Sequence, residues 1–153
     1  ATLFRHVNEL LDARCFLVFM LQEDILTMAF SRENGVAVDF PPLTLDHPQS
    51  HFARVARTRK EILVHLEAEH DDPNHVLGTL DTHSLLFAPL LVGDRLLGVM
   101  SIQTPSLYAY GERESSIFLT LCAYGAIALD NAAAYAQAER AQAQADQALS
   151  HLQ

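Results

Sequence analysis

Seven histidines precede the C-terminal tail: His6, His47, His51, His65, His70, His75 and His83. Imidazole is the commonest metal ligand and the side chain whose ordinary pKa lies nearest neutrality, so their spacing is the first chemistry to test. His47 and His51 stand four apart, as two ligands on one helix face would, but Pro48 between them suits a helix start and leaves His47 outside. His70, Asp71, Asp72, His75, Asp81 and His83 offer the right donors without the compact spacing of a zinc or iron site, which reads as a solvated loop. No metal is expected. The two cysteines, Cys15 and Cys122, lie in apolar runs without CxxC spacing and read as buried thiols, consistent with a cytoplasmic setting. There is no GxSxG, HExxH or P-loop, Ser115-Ser116 suits a helix start, and Glu112, Glu114 and Asp130 suit a helix surface. No group of residues converges on a reaction, so the chain is expected not to be an enzyme.

The elements that would position these residues are legible from pattern. At 153 residues, half of them hydrophobic, the chain can bury one core without disulfides. A net charge of -9 with ten Lys and Arg argues against a nucleic-acid partner, and Arg54, Arg57, Arg59 and Lys60 suit a helix C-terminus instead. No purely apolar run approaches the roughly 20 residues of a membrane span, so no membrane insertion is expected. Residues 3–13 have amphipathic helical spacing; CFLVFML (15–21) and ILTMAFS (25–31) read as a hairpin, and VAVDF (36–40) as a third strand closed by Pro41-Pro42. A helix over 49–59 with Phe52, Val55 and Ala56 on one face, a strand over 61–66, and an irregular acidic stretch over 67–83 follow. Strands over 84–92 and 95–104 are joined by the tight-turn signal Gly93-Asp94, and one helix runs from Glu112 to the end. Hairpins dominate, so the class is α+β with a mostly antiparallel sheet of about six strands.

Strict alternation in strand 95–104 puts Val99, Ser101 and Gln103 on one face and Leu96, Gly98, Met100 and Ile102 on the other. The second face suits packing against the terminal helices. The first carries a hydroxyl and a carboxamide that need partners if buried.

Pro89-Leu90, Gly93-Asp94, Gly98-Val99 and Asn131-Ala132 follow, in order, the pattern of a GAF domain, which the chain resembles along its whole length. The resemblance implies N- and C-terminal helices on one sheet face and a ligand pocket with short helices and loops on the other. It makes Phe87, Val99, Ser101 and Gln103, with His75 and His83 from the neighbouring loop, the candidate pocket residues for an unknown small molecule. It also tests known GAF ligands. A single loop histidine such as His75 or His83 is the only feature that would suit haem, and there is no CxxCH. The Asn-Lys and Asp-Glu pairs usual in cyclic-nucleotide binders are absent, no Cys-His suits a bilin, and two cysteines are too few for a methionine-sulfoxide reductase. Haem, cyclic nucleotide and bilin are each disfavoured.

Stepping by four and three residues along the last helix from Ile117 gives Leu121, Tyr124, Ala128, Asn131, Tyr135, Ala138, Gln142, Ala145, Leu149 and Leu152, a heptad seam with amides at Asn131 and Gln142. Residues 1–135 are expected to form the sensory domain, with Ile117, Leu121 and Tyr124 in its core. Residues 136–153 would begin a signalling coiled coil in a fragment of a longer protein. A parallel homodimer is expected through that seam, joined by Leu3, Val7 and Leu10 of the first helix. The resemblance implies a covalently linked output domain, a histidine kinase or diguanylate cyclase. The alternatives are a GAF scaffold without ligand and, disfavoured, the reductase.

Overall fold

In the computed structural model, which describes residues 2–67 and 81–152, the chain runs α1 (Thr2–Leu10), β1 (Cys15–Gln22), β2 (Ile25–Glu33), β3 (Leu43–Thr44), α2 (His51–Thr58), β4 (Ile62–His65), β5 (Ser84–Val92), β6 (Arg95–Thr104) and α3 (Glu112–His151). The strands form one sheet in the order β3-β2-β1-β6-β5-β4, every neighbouring pair antiparallel. The α+β class and the six-stranded antiparallel sheet read from the sequence are therefore those of the structure.

The central strands are apolar on both faces because both faces are covered. Val7, Phe16, Val18, Leu86, Ala88, Met100, Ile102, Phe118 and Cys122 form one core under α1 and α3. Phe19, Leu26, Val55, Ala56, Leu85, Phe87 and Val99 form the other under α2. Burying each large apolar side chain favours folding by roughly 1.5–3 kcal/mol, so the two layers hold the sheet from both sides. At Gly98 β1 leaves no room for a side chain: a Cβ there would lie 2.0 Å from the Phe19 carbonyl oxygen.

Two expectations about strands are corrected. Residues 37–40 form no strand; only Val36 bridges back to Glu33, across the left-handed pair Asn34 (φ 51) and Gly35 (φ 83). The buried Ser31 hydroxyl takes over at Val38, accepting its N–H at 2.8 Å and donating to its carbonyl, so side-chain bonds replace ladder bonds. The third strand is instead the short β3 after Pro41-Pro42, paired with Ile25 and Leu26. In β6, Leu96 packs with the α2 core and Leu97 with the other, because the register passes from Leu90↔Gly98 to Leu91↔Leu96. That bulge leaves Leu97 unpaired and reverses the alternation before it.

α2 is capped at Ser50, whose Oγ accepts the Ala53 N–H at 3.2 Å, and His47 stays outside, its Nδ1 accepting the Ser50 N–H at 3.1 Å. Pro48 thus precedes the helix rather than starting it. The Glu114 carboxylate accepts the Gly111 N–H at 2.9 Å, a bond that holds its pKa below the ordinary value and caps α3.

α3 faces the sheet through Phe118, Cys122, Gly125 and Ala126, with Ile117 and Leu121 half-buried beside them. Tyr124, expected in the core, is 69% exposed, since the 3.6-residue turn carries it past the packed stripe. Beyond Asp130 nearly every residue of α3 is exposed. An 18-residue window of this helix has mean hydropathy 1.5, long and apolar enough by composition alone to cross a membrane, contrary to the expectation from unbroken apolar runs. Its apolar character comes from the stripe that packs on the sheet together with exposed alanines.

Candidate functional site

The face of the sheet under α2 is largely apolar; besides Ser31 and Glu33 of β2, opposite Leu17 and Cys15, it carries a polar line across β6. Register places Ser101 between Leu17 and Phe87, and Gln103 between Cys15 and Leu85. Thr82, just before β5, donates its hydroxyl to Gln103 Oε1 at 3.1 Å, and Gln103 Nε2 donates to Ser101 Oγ at 3.1 Å. Thr82 and Ser101 are buried and Gln103 half-buried. Three polar side chains thus satisfy one another in an apolar layer, as burial demands.

Above this line α2 lays His51 and Phe52. The His51 ring sits 5.1 Å from Phe87; Phe52 stands edge-on to Phe87 at 5.0 Å and tilted on Phe19 at 4.5 Å. Of the candidate pocket residues, Phe87, Val99, Ser101 and Gln103 all lie on this face. His83 is half-buried at the entry to β5, with Nδ1 3.2 Å from the Leu66 carbonyl and Nε2 3.9 Å from the Asp81 carboxylate. Only Nδ1 is within hydrogen-bond distance of its partner; the Asp81 carboxylate at 3.9 Å lies beyond it. His75 lies outside the described residues. Among the described residues, no group of three His, Cys, Asp or Glu side chains could hold a metal ion.

The thiols are chemically quiet. Cys15 pairs with Gln103 on the α2 side of the sheet, and burial pushes its pKa up to about 12. Cys122 sits on the opposite side, its Sγ 3.7 Å from Met100 Sδ, and burial pushes its thiol up as well. Neither is a thiolate near neutral pH, and the sheet separates them.

Sequence reasoning did not place His51, Phe52 or Thr82 at this site. The α2 periodicity, with Phe52 on its apolar face, was the available signal; Thr82 carried none.

A polar clasp closes the end of the sheet where β6 leads into α3. Asp12 Oδ2 accepts Thr104 Oγ1 at 3.0 Å and Ser106 Oγ at 3.3 Å, while the buried Tyr110 hydroxyl donates to the Asp12 carbonyl at 2.6 Å. Ser84 Oγ donates to the Ser106 carbonyl at 2.8 Å and accepts the Ala109 N–H at 3.0 Å.

The GAF domain family matches residues 1–131. The chain belongs to the GAF family. Solved GAF domains share its fold. That of a two-component sensor histidine kinase from Bacillus halodurans is 17% identical, with a TM-score of 0.72 over 88% of this chain and 93% of that one. The GAF domain from a phosphoenolpyruvate-protein phosphotransferase of Coxiella burnetii is 18% identical, with a TM-score of 0.67 over 89% and 93%. A free methionine-R-sulfoxide reductase from Neisseria meningitidis, solved with its substrate, is 16% identical, with a TM-score of 0.61 over 80% and 70%. Among curated proteins none matches this GAF domain in sequence. The family match ends at Asn131, where α3 leaves the sheet.

The seam residues of the GAF domain separate into two groups. Tyr124, Ala128, Asn131, Tyr135, Ala138, Gln142 and Leu149 on α3 are exposed, as is Leu10 on α1. Val7 is 0% exposed within its own domain, so it cannot face a partner; α1 turns it into the core instead. The Leu3 side chain lies outside the described residues.

Proposed function

We propose that this GAF domain is a non-enzymatic cytoplasmic sensor of a small molecule, acting as a homodimer and passing its signal through α3 to a covalently linked histidine kinase or diguanylate cyclase. The observation that carries the reading is the Thr82–Gln103–Ser101 line, set in an apolar face beneath aromatic rings. A few convergent polar groups in apolar surroundings are what a small-molecule site needs. The exposed part of α3 supports the output role. From Asn131 to His151 it reaches about 30 Å beyond the sheet at 1.5 Å per residue, and its seam carries no charged side chain. Facing copies would meet without repulsion there. The two protonated, separated thiols argue against a cysteine-based reductase.

A second reading has its own support. Phe52 packs on both Phe19 and Phe87, and a face filled by its own rings would make a ligand-free dimer scaffold. A thermal-shift screen against nucleotides, haem, bilins and small metabolites separates the two. Stabilisation by a compound, lost in Gln103→Leu, supports the sensor. No stabilisation by any compound sinks it in favour of the scaffold.

A further inference from the structure

We propose that the β5–β6 turn couples α2 to α3 through the chain Arg59–Asp94–Arg95–Asp130. Its purpose rests on the sensor reading above; its existence does not. The two helices cover opposite faces of β5, Leu85 and Phe87 pointing to α2 and Leu86, Ala88 and Leu90 to α3. A densely packed sheet lies between them, yet both reach the same turn, Gly93-Asp94, at its end.

The contacts are specific. Arg59 ends α2 in the left-handed conformation (φ 60), its N–H bonded to the Val55 carbonyl at 2.7 Å, and its guanidinium donates to the Asp94 carbonyl. The next residue, Arg95, donates Nη2 to Asp130 Oδ1 at 2.8 Å. One peptide unit therefore joins a bond to the pocket-side helix with an ion pair to the output helix. Asp130 is also where α3 stops being packed: Leu129 still touches the core, and from Asn131 onward nearly every residue is exposed. Movement of the α2 C-terminus is thereby passed to the point where α3 is free to bend or rotate. Exposed ion pairs contribute little to global stability, so the chain biases a local equilibrium rather than bracing the fold.

Coupling of this kind is reciprocal. Hydrogen exchange on the unliganded full chain tests it without a ligand, so failure here is distinct from failure of the sensor reading. In Arg59→Ala, exchange across 126–135 of α3 is expected to rise roughly two- to five-fold, the range of one exposed charged contact. In Asp130→Ala the same rise is expected across 52–59 of α2. The charge swap Arg95→Asp with Asp130→Arg should return α3 towards the parent rate, while Arg95→Asp alone does not. If Arg59→Ala alters α2 but leaves 126–135 unchanged, the proposal is overturned. An equal rise in β1 peptides, signalling general loss of stability, overturns it too.

Discussion

Replacing Gly98 by Ala tests the tight approach of β1 to β6. The added Cβ would sit 2.0 Å from the Phe19 carbonyl oxygen and 3.0 Å from Met20 Cα, both backbone atoms of the neighbouring central strand. Ordinary C···O contacts between strands lie at about 3.3–3.6 Å, so β1 must retreat by more than about 1 Å. No side-chain rotation relieves the clash, because backbone is what is struck. Overpacking a well-filled core typically costs 1–3 kcal/mol, and an obstruction by backbone between two central strands belongs at the top of that range, about 3 kcal/mol. For a chain of this size that corresponds to a fall in Tm of roughly 6–12 °C. Gly93→Ala is the control: Gly93 has φ 59 but nothing within 4 Å, so only the left-handed backbone penalty of about 1–2 kcal/mol applies. Urea denaturation and calorimetry at one protein concentration should rank Gly98→Ala as the more destabilised. An equal or smaller loss than in Gly93→Ala would refute the packing argument.

Three further outcomes are expected. Native protein should resist thiol reagents near neutral pH, and its stability should fall as pH rises above 9: the unfolded chain ionises its thiols from 9.0, whereas folded Cys15 holds its proton to about 12. The slope approaches about 1.4 kcal/mol per pH unit for each such thiol, measurable by denaturant titration at pH 8 and 10; a flat profile would count against burial. Tyr110→Phe removes the bond to the Asp12 carbonyl from a buried hydroxyl and should lower stability by about 1 kcal/mol, while Tyr108→Phe at an exposed hydroxyl should leave Tm unchanged in the same melting experiment. Sedimentation of the full chain should show a dimer that removal of residues 136–153 weakens to monomer; a monomeric full chain at high concentration rules out the seam.

The sequence made some elements legible to the residue and left others hidden, for identifiable physical reasons. β5 and β6 matched their expected spans because Gly93-Asp94 marks a turn and both strands are long apolar runs. The family pattern fell in the same stretch. VAVDF misled because its β propensity is real, but the Ser31 side chain occupies Val38's backbone groups before a strand can use them. Leu96 misled because alternation assumes an unbroken register and a bulge is not encoded in the pattern. Val7 and Tyr124 changed places with expectation for one reason: heptad spacing identifies a stripe without saying which neighbouring stripe the domain has already buried. At the candidate site Ser101 and Gln103 were accessible from alternation within one strand. Thr82 and His51 come from distant segments and meet Gln103 and Phe87 only through tertiary packing.

A pocket that controls the exit helix is tested most directly by distances between copies of α3. Spin labels at Gln147→Cys, on the side of α3 away from the seam, report on the exposed helix, since the two native thiols are buried. Pulsed electron resonance on the dimer, before and after saturation with the compound that most stabilises the fold, should give an intermolecular distance that shifts on binding, and Gln103→Leu should abolish the shift. A distance distribution unchanged by a bound, stabilising compound would contradict transmission through α3.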